Sequence, residues 1–600
     1  MFSKDRWIDF LDRLIILKST ILRRIEFILT VALFLGFGLV IYQIGVPKEP
    51  QIKNIVNGIL RQIPRFVMLV YLGKWVLSVI NRKRFDLFSR EFLPDLILFG
   101  CLFLFDRFKH VNFLLEGEWF LYMLICVFFA IRVMRAGSQL KVTLLNPSIL
   151  FIVSFLLLIM IGTALLLVPS ATNGNLSFVD ALFTATSAVC VTGLATVDTA
   201  SKFTDLGKDI LLIMIQIGGL GLMTFTNFFS VLFRGEMSFR NHLILQNIIE
   251  TDKPNSLFAT LIKIVIYTLL VEVLGVLYIF VTIDSTQFSS VGDEWFFAIF
   301  HSISAFCNAG FSTLPNGLFN DGFRFNYNFQ LAICFLVILG GIGFPVVNDL
   351  YTTVKNILYN LYRTVFLKER YKVQARNVSV NSRIVLTTTF VLLVVGTVLY
   401  FLTEHNNLLK EHTTFYGKLV QSFFGSVTPR TAGFNTVDMG QLMQGTILIY
   451  LLLMWIGASP SSTGGGIKTT TFAIALSNIV ALSKGKNRVD LFKREISNTS
   501  IHRAFAVIFL SLLIIGSAVL GITIFDPNHN LTEIAFECFS AYSTVGLSLN
   551  VTPTLSAPSK LILVLTMFIG RVGMFTLLFG IFNKVECKMY QYPKENIIIT

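Results

Sequence analysis

Thr186–Leu194 reads TSAVCVTGL, and three later stretches echo it: Ser304–Ser312 (SAFCNAGFS), Val427–Thr436 (VTPRTAGFNT) and Ser540–Asn550 (SAYSTVGLSLN). Each carries one glycine that serves as a registration mark, and Gly193, Gly310, Gly433 and Gly546 follow one another at intervals of 117, 123 and 113 residues. Ten positions before each glycine stands a phenylalanine: Phe183, Phe300, Phe423 and Phe536. Three copies have Ser-Ala at a fixed offset (Ser187-Ala188, Ser304-Ala305, Ser540-Ala541), whereas the third reads Ser426-Val427-Thr428-Pro429. Self-similarity at a nearly constant period means one structural unit used four times.

The segments around each glycine keep the same order. A long apolar span comes first, near 149–168, 258–283, 384–402 and 504–525; a second comes after the loop, near 210–233, 329–351, 446–481 and 561–582. Spans of about 20 apolar residues cross roughly 30 Å of hydrocarbon. The pieces between them, such as Phe178–Val189 and Ile534–Tyr542, are too short to cross, so they enter and leave by one face. Composition agrees: 54% of the 600 residues are hydrophobic and 14% charged, with a mean hydropathy of +0.71. That leaves too little polar surface to solvate a soluble chain, and the lipid bilayer takes the place of water.

The net charge of +14 sits in short segments between spans and not on one face, which argues for membrane topology and against nucleic acid. Connections between units hold Arg234, Arg240 and Lys253, then seven basic residues from Lys355 to Arg383, then six from Lys484 to Arg503. Ile283–Glu294 and Asp526–Glu533, beside the short pieces, hold acidic residues and no Lys or Arg. The positive-inside tendency therefore puts the connections in the cytoplasm and the re-entrant pieces outside. Ahead of the repeats, four further spans are expected near 26–45, 63–81, 93–108 and 118–134; Arg13, Lys18, Arg23 and Arg24 precede the first. Both termini are then cytoplasmic. The expected divisions are an extension over 1–146 and pore units over 147–256, 257–375, 376–500 and 501–600. No cleaved leader is expected, because Met1–Trp7 runs into mixed amphipathic sequence instead of a short apolar core with a small-residue cleavage site. The seven cysteines lie mostly in apolar stretches without ligand or disulfide spacing and read as core filler.

Non-helical backbone at membrane depth leaves carbonyls that hydrocarbon penalises by about several kcal/mol each, so something polar must take them. Glycine reaches φ > 0 cheaply and lets backbones approach closely, so four glycine loops around one axis can aim rings of carbonyl oxygens at a dehydrated cation. The plainer alternative is that these glycines only let helices pack closely. Four in register, each ending a piece too short to span, favour the filter. The fold class expected is an all-α integral membrane protein, with four tandem helix–pore loop–helix units around a pseudo-fourfold pore and four amino-terminal helices.

The four quoted stretches resemble the filter loops of the Trk/Ktr/HKT superfamily of potassium transporters, over roughly 147–600. Gln216–Gly221 and the ending Tyr592–Asn596 look most like the Ktr-type membrane subunit. The resemblance implies K⁺ bound by backbone oxygens of Val191, Thr192, Asn308, Ala309, Thr431, Ala432, Thr544 and Val545, with Gly193, Gly310, Gly433 and Gly546 setting loop geometry. Some relatives carry serine at the first glycine and favour Na⁺; glycine at all four positions implies K⁺. It further implies the cell's inner membrane, a homodimer, and a cytoplasmic ring of nucleotide-binding regulatory subunits. No covalently bound cofactor and no transition metal are expected.

Gly457-Ala458-Ser459-Pro460-Ser461-Ser462-Thr463-Gly464-Gly465-Gly466-Ile467-Lys468 interrupts the second span of the third unit. Proline, three glycines and a run of hydroxyls break helix there. The fragment ending in Lys468-Thr469 is a poor phosphate loop, because Ile467 separates glycine from lysine and no strand precedes it. A flexible break in a pore-lining span reads as a gate beneath the filter, which is also the role of the corresponding loop in the family; a buried kink is the alternative. Arg571, in Gly570-Arg571-Val572-Gly573, lies where an unpaired charge is costly and needs acceptors. Carbonyls of the gate segment and Glu272 are the candidates, and the resemblance favours the gate. The seven histidines form no metal pair and no nucleophile has a base nearby in sequence, so an enzyme is not expected. A Na⁺-coupled or Na⁺-conducting secondary transporter of the same family stands as the alternative to a K⁺ channel-like pore.

Overall fold

A computed structural model of the chain describes residues 27–43, 50–79, 147–232, 257–366, 378–486 and 488–573, with isolated positions at 25, 45, 122, 125 and 578. The fold is an all-α integral membrane protein, and the chain falls into two compact units, Met1–Leu144 with Val168–Ser170, and Leu145–Leu167 with Ala171–Thr600.

The first unit contains α1 (Phe27–Gln43) and α2 (Pro50–Val79). The second helix begins well before the expected span near 63–81, opening on proline, whose missing N–H costs nothing at a helix start. Val40, Val56 and Leu60 pack with Tyr122 and Ile125, and the Tyr122 hydroxyl donates to Asn57 Oδ1 at 2.8 Å. The expected third span, and the fourth apart from Tyr122 and Ile125, lie outside the described residues.

In the second unit the four repeats are plain. First spans are α3 (Pro147–Leu166), α6 (Leu257–Thr282), α10 (Val380–Glu404) and α14 (Asn498–Phe525). At about 1.5 Å per residue they match the apolar thickness of a bilayer. The short helices are α4 (Phe178–Val189), α7 (Val291–Phe306), α11 (Phe415–Val427) and α15 (Leu531–Tyr542). Each starts at a polar cap: Ser177, Ser290 and Thr414 accept the N–H three residues on, and Asn530 forms a capping box with Glu533. Each short helix packs against the first span of its own repeat, and the Ser302 and Ser426 hydroxyls donate to the α6 and α10 backbone at Glu272 O (2.7 Å) and Leu393 O (2.9 Å).

Second spans differ among the repeats. The first is α5 (Asp205–Leu232) and the fourth is α16 (Ala557–Val572). In the second repeat a single span was expected near 329–351; instead α8 (Tyr327–Ile342) and α9 (Phe344–Phe366) meet at 98°. The bend falls on Gly343, at φ 88, where the Phe344 N–H goes to Ser461 O at 3.2 Å and Pro345 has none to give. The third repeat has α12 (Gln444–Trp455) and α13 (Thr469–Ser483), separated by the loop 456–468.

Candidate functional site

Each pore helix runs straight into its glycine loop, and the four loops share one backbone conformation. The glycines have φ of 92, 70, 76 and 93, and the residues two before them, Val191, Asn308, Thr431 and Thr544, sit at 55, 61, 64 and 50. Left-handed backbone is costly for Val and Thr. Finding it at the same place four times means that the surroundings impose it.

The N–H groups of the loops are spent behind them. Thr192, Ala309 and Val545 donate to Ser187 O, Ser304 O and Ser540 O at 2.7, 2.7 and 2.9 Å, and the Ser187 and Ser540 hydroxyls accept from Gly193 N and Gly546 N at 3.0 and 3.1 Å. In the third loop Ala432 N donates to Thr428 O at 3.0 Å. The Thr428 hydroxyl bonds Phe434 O as Ser304 bonds Phe311 O. Thr428, and not a Ser-Ala pair, is thus the counterpart, and the third loop is one residue shorter. Its phenylalanine is correspondingly Phe424, 2% exposed like the buried Phe183, Phe300 and Phe536, while Phe423 packs at the cluster's edge. With these donors occupied, the carbonyls of Thr192, Ala309, Ala432 and Val545 are what face the neighbouring loops.

The glycines close a ring. A Cβ at Gly193 would collide with Ala309 O, at Gly310 with Ala432 O, at Gly433 with Val545 O and at Gly546 with Thr192 O, returning to the start in chain order. The structure thus brings Val191, Thr192, Gly193, Asn308, Ala309, Gly310, Thr431, Ala432, Gly433, Thr544, Val545 and Gly546 together in one ring of loops. The Asn308 amide and Thr431 Oγ1, 3.1 Å apart, join the second and third loops. All four glycines open on one cavity of about 440 Å³, whose wall also carries Asp198 and Asp438. Sequence reading did not single out those two carboxylates, which carry no spacing signal. Four helix C-termini converge on the ring, and their partial negative charge favours a cation there.

Beneath the ring lies the loop 456–468. The Thr463 hydroxyl donates to Phe306 O at 3.3 Å and Gly465 N to Thr544 Oγ1 at 2.9 Å. Ser459 N and Thr463 N donate to Gly341 O and Gly340 O at 3.1 and 3.4 Å. Gly343 faces Pro460 O, Gly457 faces Gly465 O, and Gly464 faces Thr431. Lys468 Nζ donates to Gly464 O at 2.7 Å, so neither the lysine nor the Gly465 amide is free for a phosphate. Gly466, at φ 69, lies against Ser543. Every residue of the expected gate therefore sits directly below the loops.

Arg571, 3% exposed, resolves its two candidates. Its guanidinium donates to Thr463 O of the broken loop and to Gly218 O of α5 at 2.6 Å. Glu272 is not its partner and instead accepts from Gln216 Nε2 at 3.0 Å. The Gly218 carbonyl was beyond sequence reading, since nothing in a glycine announces which way its oxygen points. Among the described residues no group of His, Cys, Asp and Glu could hold a metal ion.

The profile of a family described as TrkH, cation transport protein, matches residues 120–590. The chain belongs to that family. It is a multi-pass membrane transporter and not an enzyme. Among the chain's relatives, the Potassium/sodium uptake protein NtpJ of Enterococcus hirae is 35% identical over 463 residues, covering 76% of this chain and 97% of NtpJ. The Ktr system potassium uptake protein B of Bacillus subtilis is 36% identical over 453 residues, covering 75% and 96%. The crystal structure of the potassium transporter TrkH from Vibrio parahaemolyticus has the same fold at 16% identity and TM-score 0.55, over 87% of this chain and 96% of that one.

Proposed function

We propose that this chain takes K⁺ up across the cell's inner membrane, both termini lying in the cytoplasm. The ion passes the backbone oxygens of Val191, Thr192, Asn308, Ala309, Thr431, Ala432, Thr544 and Val545, and the segments 147–256, 257–375, 376–500 and 501–600 each supply one quarter of the ring. The observation that carries this reading is the closed cycle of glycines with its donors turned away, a geometry suited to replacing a cation's hydration shell with carbonyls. The names of the two relatives, both uptake proteins for potassium, support the choice of ion.

The loop 456–468 acts as the gate, latched to Gly218 by Arg571. Membrane subunits pair as a homodimer above a cytoplasmic nucleotide-binding ring, as the resemblance to the Ktr-type membrane subunit implies; one relative is named as part of a Ktr system. One relative is named for sodium as well as potassium, and this favours a second reading in which Na⁺ is coupled to or carried with K⁺. Uptake of ⁸⁶Rb⁺ into cells lacking other K⁺ uptake separates the two. Uptake that tracks the K⁺ gradient without Na⁺ supports the pore, and an absolute Na⁺ requirement supports coupling.

The filter itself is tested by Gly193→Ser. A Cβ there meets Ala309 O and is held at φ 92, so the ring must distort. The preference for K⁺ over Na⁺ is expected to fall at equal protein abundance; unaltered preference overturns the filter reading.

A further inference from the structure

The outgoing strand of three of the four loops, just past the glycine, is held by a side chain from the short helix of its own repeat, at two different heights. In the second repeat His301, one residue past the buried Phe300, has Nδ1 2.9 Å from Phe297 O and Nε2 2.9 Å from Ser312 Oγ, two positions after Gly310. The Phe297 carbonyl requires a proton on Nδ1, so Nε2 accepts from the serine. In the fourth repeat Glu537, one residue past Phe536, accepts from Ser548 Oγ at 2.5 Å, two positions after Gly546, and from Leu549 N and Thr552 Oγ1 at 3.2 and 2.6 Å.

The first and third repeats cannot use that position, where Thr184 bonds its own helix at Asp180 O and Gly425 has no side chain. The third holds the strand from one turn earlier: Gln421, three residues before Phe424, donates to Thr436 Oγ1 at 2.7 Å, three positions after Gly433. In the first repeat the residue at that position, Asp180, is taken by Lys560 Nζ of α16 at 2.8 Å, and the buried Thr196 hydroxyl, three positions after Gly193, has no hydrogen-bond partner among the described residues. The second, third and fourth strands are thus clamped from their own short helices, at two heights, and the first is not.

We propose that His301, Gln421 and Glu537 are positioning residues that set the ion preference of the mouth, acting through Ser312, Thr436 and Ser548. This rests on the reading of the four loops as a cation filter. Thr436 is 4% and Ser312 7% exposed, so water poorly replaces a hydrogen bond lost there, and loosening the strand lets the carbonyls adjust to a smaller ion. The test removes the strand-side partner and leaves the pore helix intact: Ser312→Ala, Ser548→Ala and Thr436→Ala in the full chain, with K⁺ and Na⁺ uptake measured per unit of membrane-inserted protein. Each is expected to reduce the K⁺ to Na⁺ ratio and raise the KM for K⁺ by roughly three- to tenfold, the scale of one neutral hydrogen bond. Thr436→Ser, which keeps the hydroxyl, is expected to restore both. Wild-type ratio and KM in all three alanine variants, with only abundance changed, overturn the proposal. Gly193→Ser run in parallel separates the two failures: if it alone shifts the ratio, the clamps are merely structural, and if it too has no effect, the filter reading falls with them.

Discussion

At the scale of single residues, the buried guanidinium is the most exposed to test. Arg571 bridges Thr463 O and Gly218 O, joining the loop beneath the ring to the second span of the first repeat. Arginine suits this because its planar fork can serve two carbonyls at once, which a lysine ammonium does with less preorganisation. Replacing it by glutamine withdraws a positive charge from the cation path and leaves at least one carbonyl unpaired, at about 1–3 kcal/mol. The loop then gains by moving to where water can reach it. Rb⁺ uptake by Arg571→Gln is expected to exceed wild type several-fold at equal abundance, with Arg571→Lys between the two. Uptake that stays the same or falls would show that the latch does not restrain the loop. That Arg571 needs acceptors was legible in the sequence, because a charge at membrane depth cannot stand alone. Which acceptors it finds depends on carbonyl directions in two other repeats, and residue identity does not encode those.

At the scale of elements, the repeat was legible because hydrophobic length, glycine spacing and charge asymmetry all repeat together. The single-residue contraction of the third loop was not. Val427–Thr436 keeps its glycine and a phenylalanine at the usual interval, Phe423, and only burial identifies the neighbouring Phe424 as the true counterpart. The bend at Gly343 was missed for a related reason: Gly340-Gly341-Ile342-Gly343 sits in an unbroken apolar run, and helix direction is set there by the Pro460 and Ser461 carbonyls. Outside the membrane, one junction gives a pH prediction. His412, just before the third pore helix, lies 3.0 Å from the Tyr327 hydroxyl at the start of α8. Burial first, then the nearby Arg324 and Lys418, hold its pKa below the ordinary histidine value of 6.5. The unfolded chain therefore binds more protons below about pH 6.5, and this junction's contribution is complete above that pH and declines as pH falls. In detergent, the thermal midpoint of the wild type is expected to drop further between pH 7 and pH 5 than that of His412→Gln, which stays neutral throughout. Parallel curves for the two would show that His412 is not the titrating group.

At the scale of the whole molecule, the question is how a cytoplasmic event reaches the ring, and chain continuity supplies one route. The loop 456–468 leads into α13, which runs from Thr469 to Ser483 and ends in a segment with exposed Lys484, Lys486, Lys493 and Arg494. That segment is not slack: Val489 packs with Ala481 and Ile501, and Asp490–Leu491 pairs with Arg494–Glu495 in a small hairpin. The hairpin's tip residues, Phe492 and Lys493, have φ of 50 and 63, where glycine or asparagine is the usual choice, and Phe492 is 43% exposed. Under the proposed gating, a basic hairpin joined by one helix to the loop 456–468 gives the proposed cytoplasmic partner a handle that shifts the loop without touching the glycine ring. Reversing the four charges, with Lys484, Lys486, Lys493 and Arg494 all changed to Glu, is therefore expected to lower nucleotide-dependent activation of uptake strongly. The K⁺ to Na⁺ ratio should stay at its wild-type value, because the ring's own bonds are intact. If activation survives the reversal, the partner grips elsewhere. If the ratio shifts with it, gate and filter are one mechanical body, and the Gly465 N to Thr544 Oγ1 bond is the place where they join.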